Sequence, residues 1–256
     1  MSVKKLCYGT WQFEDAFKKV SRKQAIELLE FALEMGIENF DTALVYGNGD
    51  VERILSEVET KGKNIITKIP AKQKPTLQEV GEIGLFYDKE WINQCVSKSV
   101  ENLKRTPTVF LLHNWSDYWL DSIEILNYLR ELKRNGACEY IGISLPNDYN
   151  GILGKEILSI IDFIEAPYNF ENNWIKEQSA SLNNSKLKII TRSLFKQGNL
   201  LRQAEGTLKN DYLNKTINEA ASFSDYVAIG MTSKAQIEHN IKQIKKEGTK
   251  IVTKGV

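Results

Sequence analysis

Short runs of β-branched and aromatic residues alternate along the chain with longer stretches in which apolar residues recur every three or four positions. The short runs predict strands at 5–9, 38–41, 64–69, 109–113, 140–144, 162–166, 187–192 and 226–230. Between them, Ile26, Leu29, Ala32 and Leu33 mark a first helix that stops at Met35-Gly36. Ile123, Leu126, Leu129 and Leu132 mark another that stops at Asn135-Gly136, and Ile237, Ile241 and Ile244 mark the last. Strands separated by helices pair in parallel. Eight such units in 256 residues, with no proline-rich linker or shift of composition, predict a single α/β domain over 1–256. Its expected form is a closed (β/α)8 TIM barrel rather than an open sheet. The sixth unit, NFENNWIKEQSASLNNSK, has the softest helical pattern. The longest connection, 71–89, is expected to form a flap over the barrel mouth.

A composition of 42% hydrophobic and 26% charged residues is that of an ordinary globular protein. The net charge of +1 leaves no electrostatic footprint for nucleic acid or an anionic membrane. No apolar run approaches the roughly 20 residues that cross a bilayer, and MSVKKLCYGTW lacks the apolar region of a signal peptide. Cys7, Cys95 and Cys138 are far apart and form neither a C-x-x-C pair nor a Cys/His cluster, so neither disulfide nor metal is expected. Cys95 falls in the apolar series Trp91, Ile92, Val96, Val100 and Leu103 and reads as a core thiol. The cysteine usage predicts a reducing, cytoplasmic setting; the expected partner is a small-molecule carbonyl compound, and the expected assembly a monomer or small homo-oligomer.

In such a barrel, reactive side chains project from the C-terminal ends of the strands. Those ends read Gly9-Thr10-Trp11, Asp41, Lys68, His113, Ser144, Glu165, Arg192 and Gly230, mostly polar residues that close apolar runs. Singly, Asp41 could be a cap, Tyr46 a half-buried aromatic, Lys68 a strand end in water and His113 a core histidine. Together they make chemical sense. A phenol exchanges protons poorly at its ordinary pKa near 10. A lysine ammonium beside Tyr46 is expected to lower it, with Asp41 as the counter-charge that keeps Lys68 protonated. His113 can donate a second hydrogen bond to a carbonyl oxygen. No Ser or Cys has an evident base partner, and G-x-S-x-G and Walker patterns are absent. The set suits protonation of a carbonyl oxygen while a cofactor delivers hydride, which no side chain can do.

From YGTW to IEHNIKQI the chain resembles the aldo-keto reductases, NAD(P)H-dependent enzymes on a (β/α)8 barrel. ENFDTALVYGNGDVERIL is similar to the segment that supplies the family's catalytic Asp and Tyr, here Asp41 and Tyr46. IITKIP matches the strand of the catalytic lysine, Lys68, and VFLLHNW that of the catalytic histidine, His113.

The resemblance implies NADP(H) as cofactor, with NAD(H) left open, lying extended over the barrel rim from Gly9, Thr10 and Trp11 to strand 8. Ser144 and Glu165 would hold the carboxamide, although Leu145 replaces a frequent asparagine and Glu165 the usual glutamine. Arg192 would stack on the nicotinamide, and the loop with Ser193, Phe195, Gln197 and Gly198 would contact the pyrophosphate. Gly230, Thr232, Ser233, Gln236 and Asn240 would surround the adenosine end. Gln236 stands where NADP-dependent relatives often carry arginine, with Lys234 or Arg202 as substitutes. Trp11, Tyr46, His113 and Trp115 would line the substrate pocket, joined by Tyr87 or Trp119. The end of the chain soon after its last helix implies a short specificity loop and an open pocket. RSLFKQG resembles shorter bacterial members found with carbohydrate-modifying enzymes, which implies a sugar-like carbonyl or alcohol. Two other readings remain at this stage: a nicotinamide-binding regulatory subunit with vestigial catalysis, and an aldolase or isomerase using Lys68 as a Schiff-base amine.

Overall fold

The computed structural model describes residues 3–14, 20–75, 78–183, 186–196, 198 and 206–246. Each predicted apolar run forms a strand: β1 (Leu6–Gly9), β2 (Asn39–Asp41), β3 (Asn64–Ile69), β4 (Val109–His113), β5 (Tyr140–Ser144), β6 (Phe163–Pro167), β7 (Lys188–Arg192) and β8 (Tyr226–Gly230). They pair in parallel in chain order, and β1 closes on β8 to complete the barrel. Around it run α1 (Arg22–Glu34), α2 (Asp50–Leu55), α3 (Lys89–Leu103), α4 (Ser122–Arg134), α5 (Lys155–Ile160), α6 (Trp174–Asn183), α7 (Gly206–Phe223) and α8 (Lys234–Lys246).

Local chemistry sets the helix ends. Ser21 opens α1 with a capping box: its hydroxyl accepts from the Gln24 amide, and Gln24 Oε1 accepts from the Ser21 amide at 3.0 Å. Ala25, Leu28, Leu29 and Ala32 then face inward. Gly36 and Gly136, at φ +87° and +83°, follow the ends of α1 and α4, as their sequence positions predict.

The barrel interior explains where the polar residues go. Cys7, Ile66, Val109, Leu111, Phe163, Ile190 and Ala228 form one buried apolar cluster inside the strands. Side chains alternate along a strand, so the next inward position lies two residues on. Ile66 leads to Lys68, Leu111 to His113, Phe163 to Glu165 and Ile190 to Arg192. The register continues the row sideways, pairing His113 with Ser144 and Ser144 with Glu165. An apolar layer thus supports a layer of ionisable groups at the C-terminal mouth.

The 71–89 connection departs from the expected flap. Gly81–Glu82 pairs with Trp119–Leu120 in a separate two-stranded sheet. Phe86 stacks on Trp119 with centroids 5.3 Å apart, and the buried Tyr87 hydroxyl donates to the His113 carbonyl. Burial of these rings ties the connection to the segment after β4 instead of leaving it free over the mouth.

Candidate active site

Asp41 ends β2, and five residues later Tyr46 enters a tight turn in which Gly47, Asn48 and Gly49 all take left-handed φ values of 56°, 51° and 84°. Glycine at the first and third positions avoids the Cβ penalty of that backbone. A Cβ at Gly49 would also run into the Asn102 amide. The turn is braced by buried Glu52 on α2, which accepts from Thr67 Oγ1 on β3 at 2.7 Å and from Asn102 Nδ2 on α3 at 2.9 Å.

Lys68 lies at the centre, 1% exposed. Its Nζ is 2.5 Å from Asp41 Oδ1, 3.0 Å from the Thr42 carbonyl and 3.3 Å from Glu165 Oε2. The same Nζ is 5.7 Å from the centroid of the Tyr46 ring, and Tyr46 meets His113 edge-on at 6.5 Å. Glu165 extends the ladder: Oε1 is 2.9 Å from Arg192 Nε and accepts from Ser144 Oγ at 3.1 Å. Arg192 is held further by Asn147 Oδ1 at 2.6 Å and the Leu145 carbonyl at 2.5 Å. Two cations and two carboxylates therefore alternate across the mouth.

Burial would lower the Lys68 pKa, but Asp41 and Glu165 outweigh it and hold the ammonium charged well above its usual range. A Schiff base needs a neutral amine, so this environment opposes that role for Lys68. Tyr46 corrects a second expectation. Lys68 does pull the phenol down, yet burial, with Asp41 and Glu165, pushes it up to about 12. Burial, Lys68 and Arg192 lower His113 to about 3, which leaves a neutral imidazole. Burial and the facing Glu165 raise Asp41 to about 7. In Glu165 burial acts upward, but Lys68 and Arg192 prevail and hold it below the ordinary value. At neutral pH the site thus presents a protonated phenol and a neutral imidazole beside a charged ladder.

These groups open onto a cleft of about 780 Å³. Asp41, Tyr46 and His113 line one part, and the cleft passes Gly9, Trp11, Arg192, Ser193, Phe195, Gly198 and Gly230 to Thr232 and Gln236. Lys68, Ser144 and Glu165 are buried beneath the wall, Glu165 with no exposed surface under Arg192. Thr10 is also buried, its hydroxyl donating to the Asp41 carbonyl at 2.9 Å.

Several expected positions fall elsewhere. Trp115 is fully buried, packed on Trp119 with its Nε1 donating to Asp117 Oδ1 at 3.0 Å, and does not line the cleft. Tyr87 and Trp119 are likewise core. Asn240 is buried, and Ser233 accepts from the Gln236 amide at the start of α8; neither lines the cleft. The Gln236 side chain turns back to accept from the Thr232 amide at 2.7 Å, and Lys234 lies 4.8 Å over the Phe31 ring. Gln197 and Arg202 lie outside the described residues. The sequence reading missed Gln12, Asn114 and Asn147, which line the cleft. Their positions just after strand ends were the available signal.

Among the described residues no group of three or more His, Cys, Asp or Glu could hold a metal, and no helix is long and apolar enough to cross a membrane.

Comparison with known proteins agrees with this architecture. A model of the aldo/keto reductase family matches residues 5–205. An uncharacterized oxidoreductase, YqkF of Bacillus subtilis, is 28% identical over 209 residues, covering 77% of this chain and 66% of that protein. The chain thus matches just under two thirds of that relative's length. Among solved structures, the holo form of aldo-keto reductase AKR11C1 from Bacillus halodurans has a TM-score of 0.72 at 20% identity, covering 98% of this chain and 88% of that one. An aldo-keto reductase from Klebsiella pneumoniae in complex with NADPH gives 0.73 at 16% identity, covering 98% and 87%. At such identities the structural likeness establishes the fold.

Proposed function

The chain belongs to the aldo/keto reductase family, and from that premise we propose that it is an NAD(P)H-dependent oxidoreductase that interconverts an aldehyde or ketone with its alcohol, with Tyr46 as the general acid. The observation that carries this reading is the meeting of Asp41, Tyr46, Lys68 and His113, from three strand ends and one turn, beside an elongated cleft. The bound dinucleotide supplies or receives the hydride. Tyr46 gives its hydroxyl proton to the carbonyl oxygen, and Lys68 stabilises the phenolate left behind. His113, neutral, donates an N–H hydrogen bond that orients the carbonyl and stabilises charge growing on its oxygen. Asp41 keeps the ammonium charged and in position.

Arg192 would be the flat partner for the nicotinamide, and Ser144 and Glu165 beneath it would hold the carboxamide if the guanidinium moved aside. Ser193, Phe195 and Gly198, which line the cleft, would take the pyrophosphate, and Thr232 just before α8 the adenosine phosphate. NADP(H) is the proposed cofactor, supported by the NADPH-bound relative from Klebsiella pneumoniae. NAD(H) remains the natural competitor, because Gln236 is committed to the start of α8 and Lys234 to Phe31. Trp11, Asn114 and Asn147, which all line the cleft, favour a carbonyl compound bearing hydroxyl groups, as in a sugar derivative. Titration of the pure protein with NADPH and with NADH, followed by nicotinamide fluorescence, tests the reading. Binding of at least one is expected; binding of neither at millimolar concentration rejects it.

A further inference from the structure

Glu165 is a full carboxylate with no exposed surface, set between the cations of Lys68 at 3.3 Å and Arg192 at 2.9 Å. Neither cation needs it for a partner, since Lys68 already holds Asp41 at 2.5 Å and Arg192 reaches Asn147 and the Leu145 carbonyl. Burying an extra charge is costly, so its consequence for the charge of the site is the informative quantity. Where Asp41 is ionised, above its value of about 7, Asp41 and Glu165 against Lys68 and Arg192 sum to zero. A neutral amide of the same shape at position 165 would leave one net positive charge under the cleft wall. A nicotinamide ring carries a positive charge when oxidised and none when reduced. A buried floor, poorly screened by solvent, therefore discriminates between the two forms.

We infer that Glu165 sets the redox-form preference of the cleft: its carboxylate cancels the excess positive charge and allows the oxidised nicotinamide to bind nearly as well as the reduced one. This rests on the reading of the cleft as a nicotinamide site. Because Arg192 covers Glu165, the effect is carried by the field of the carboxylate and not by contact alone.

The test is the ratio of dissociation constants, oxidised over reduced NADP, measured by fluorescence titration without any substrate. Glu165→Gln should raise that ratio about tenfold, chiefly by weakening the oxidised form. Arg192→Gln, at the partly exposed rim, removes a cation and should move the ratio the opposite way, which keeps the test decisive if the buried variant fails to fold. Opposite shifts support the inference. Equal weakening of both forms, with the ratio unchanged in either folded variant, overturns it and leaves Glu165 a purely structural group. Wild-type protein that binds neither form overturns the cleft assignment as well, so the two failures are distinguishable.

Discussion

Lys68 Nζ lies 2.5 Å from Asp41 Oδ1, and both side chains are buried. The pair sits in a ladder in which Lys68 also faces Glu165, so the ammonium serves two carboxylates while each carboxylate is differently placed. Removing the shared cation should do far more harm than removing one anion. Lys68→Met leaves two buried carboxylates close together and should cost about 3–5 kcal/mol. Asp41→Asn leaves Lys68 paired with Glu165 and should cost roughly 1–2 kcal/mol. Urea unfolding of the two variants measures the difference; equal losses would show that the carboxylates do not share the cation.

Tyr46 presents its phenol proton to the cleft beside a neutral His113 and a Lys68 clamped by carboxylates. Tyr46→Phe keeps the ring and its edge contact with His113 but removes the hydroxyl. Turnover should fall by about 10²–10⁴-fold, with nucleotide affinity essentially unchanged. Steady-state rates alongside nucleotide titrations separate the two effects, and a variant with wild-type turnover would remove Tyr46 from its role.

The raised phenol also gives the two directions different pH dependences. Reduction uses the protonated form, which persists up to about 12, so its rate should show no alkaline fall near neutrality from Tyr46. Alcohol oxidation requires the phenolate, whose population grows about tenfold per pH unit below that value. Oxidation should therefore climb steadily from neutral to alkaline pH while reduction stays flat. Initial rates in both directions provide the check; an oxidative rate that is already level from neutral pH upward would place the phenol well below the expected range.

His113 links the site to stability in acid. Its folded value of about 3 lies below the roughly 6.5 of a free imidazole. Between those values the unfolded chain binds a proton that the native state refuses, so stability contributed at neutral pH is lost as the pH falls through that window. Asp41, raised to about 7, acts in the opposite sense over much of the same range, because there the native state binds the extra proton. The wild type should thus change little where the two offset. Relative to wild type, His113→Asn should gain stability on acidification, by at most about 1.4 kcal/mol per pH unit, the limit set by a single proton. Chemical unfolding of both proteins across that range measures the divergence, and parallel curves would contradict it.

The barrel was legible because most strands are apolar runs that close on a polar residue, as where Ile66 gives way to Lys68 and Phe163 to Glu165. The same alternation that buries Ile66 and Phe163 in the lower layer carries Lys68 and Glu165 to the mouth. The facing of single aromatics was not legible: Trp115 and Trp11 both follow strand ends, yet Trp115 is drawn into a cluster with Trp119 while Trp11 lines the cleft. The two-residue strands at Gly81–Glu82 and Trp119–Leu120 are too short to carry any periodicity. The sign of the Tyr46 shift depends on burial and on the second carboxylate reaching Lys68, and neither distance nor depth is written in spacing along a chain.

Gly142 supplies a steric test of how tightly this mouth is built. It lies on β5 opposite Phe163 of β6, two residues before Ser144. A Cβ there would drive into the Phe163 carbonyl and come within 2.8 Å of Leu111 Cδ2. The carbonyl belongs to the neighbouring strand and cannot rotate away, so Gly142→Ala must push β5 from β6 or displace the Leu111 layer. Either movement disturbs the register that sets Ser144 against Glu165. A loss of roughly 3 kcal/mol is expected, at the upper end for overpacking. Gly81→Ala, with open space around the added carbon and no left-handed backbone, is the matched control and should change stability by less than about 0.5 kcal/mol. Nucleotide titration of the folded Gly142→Ala protein should reveal weaker binding as the floor beneath Arg192 shifts. If that variant is as stable as the control, the close approach of β5 and β6 does not constrain the site.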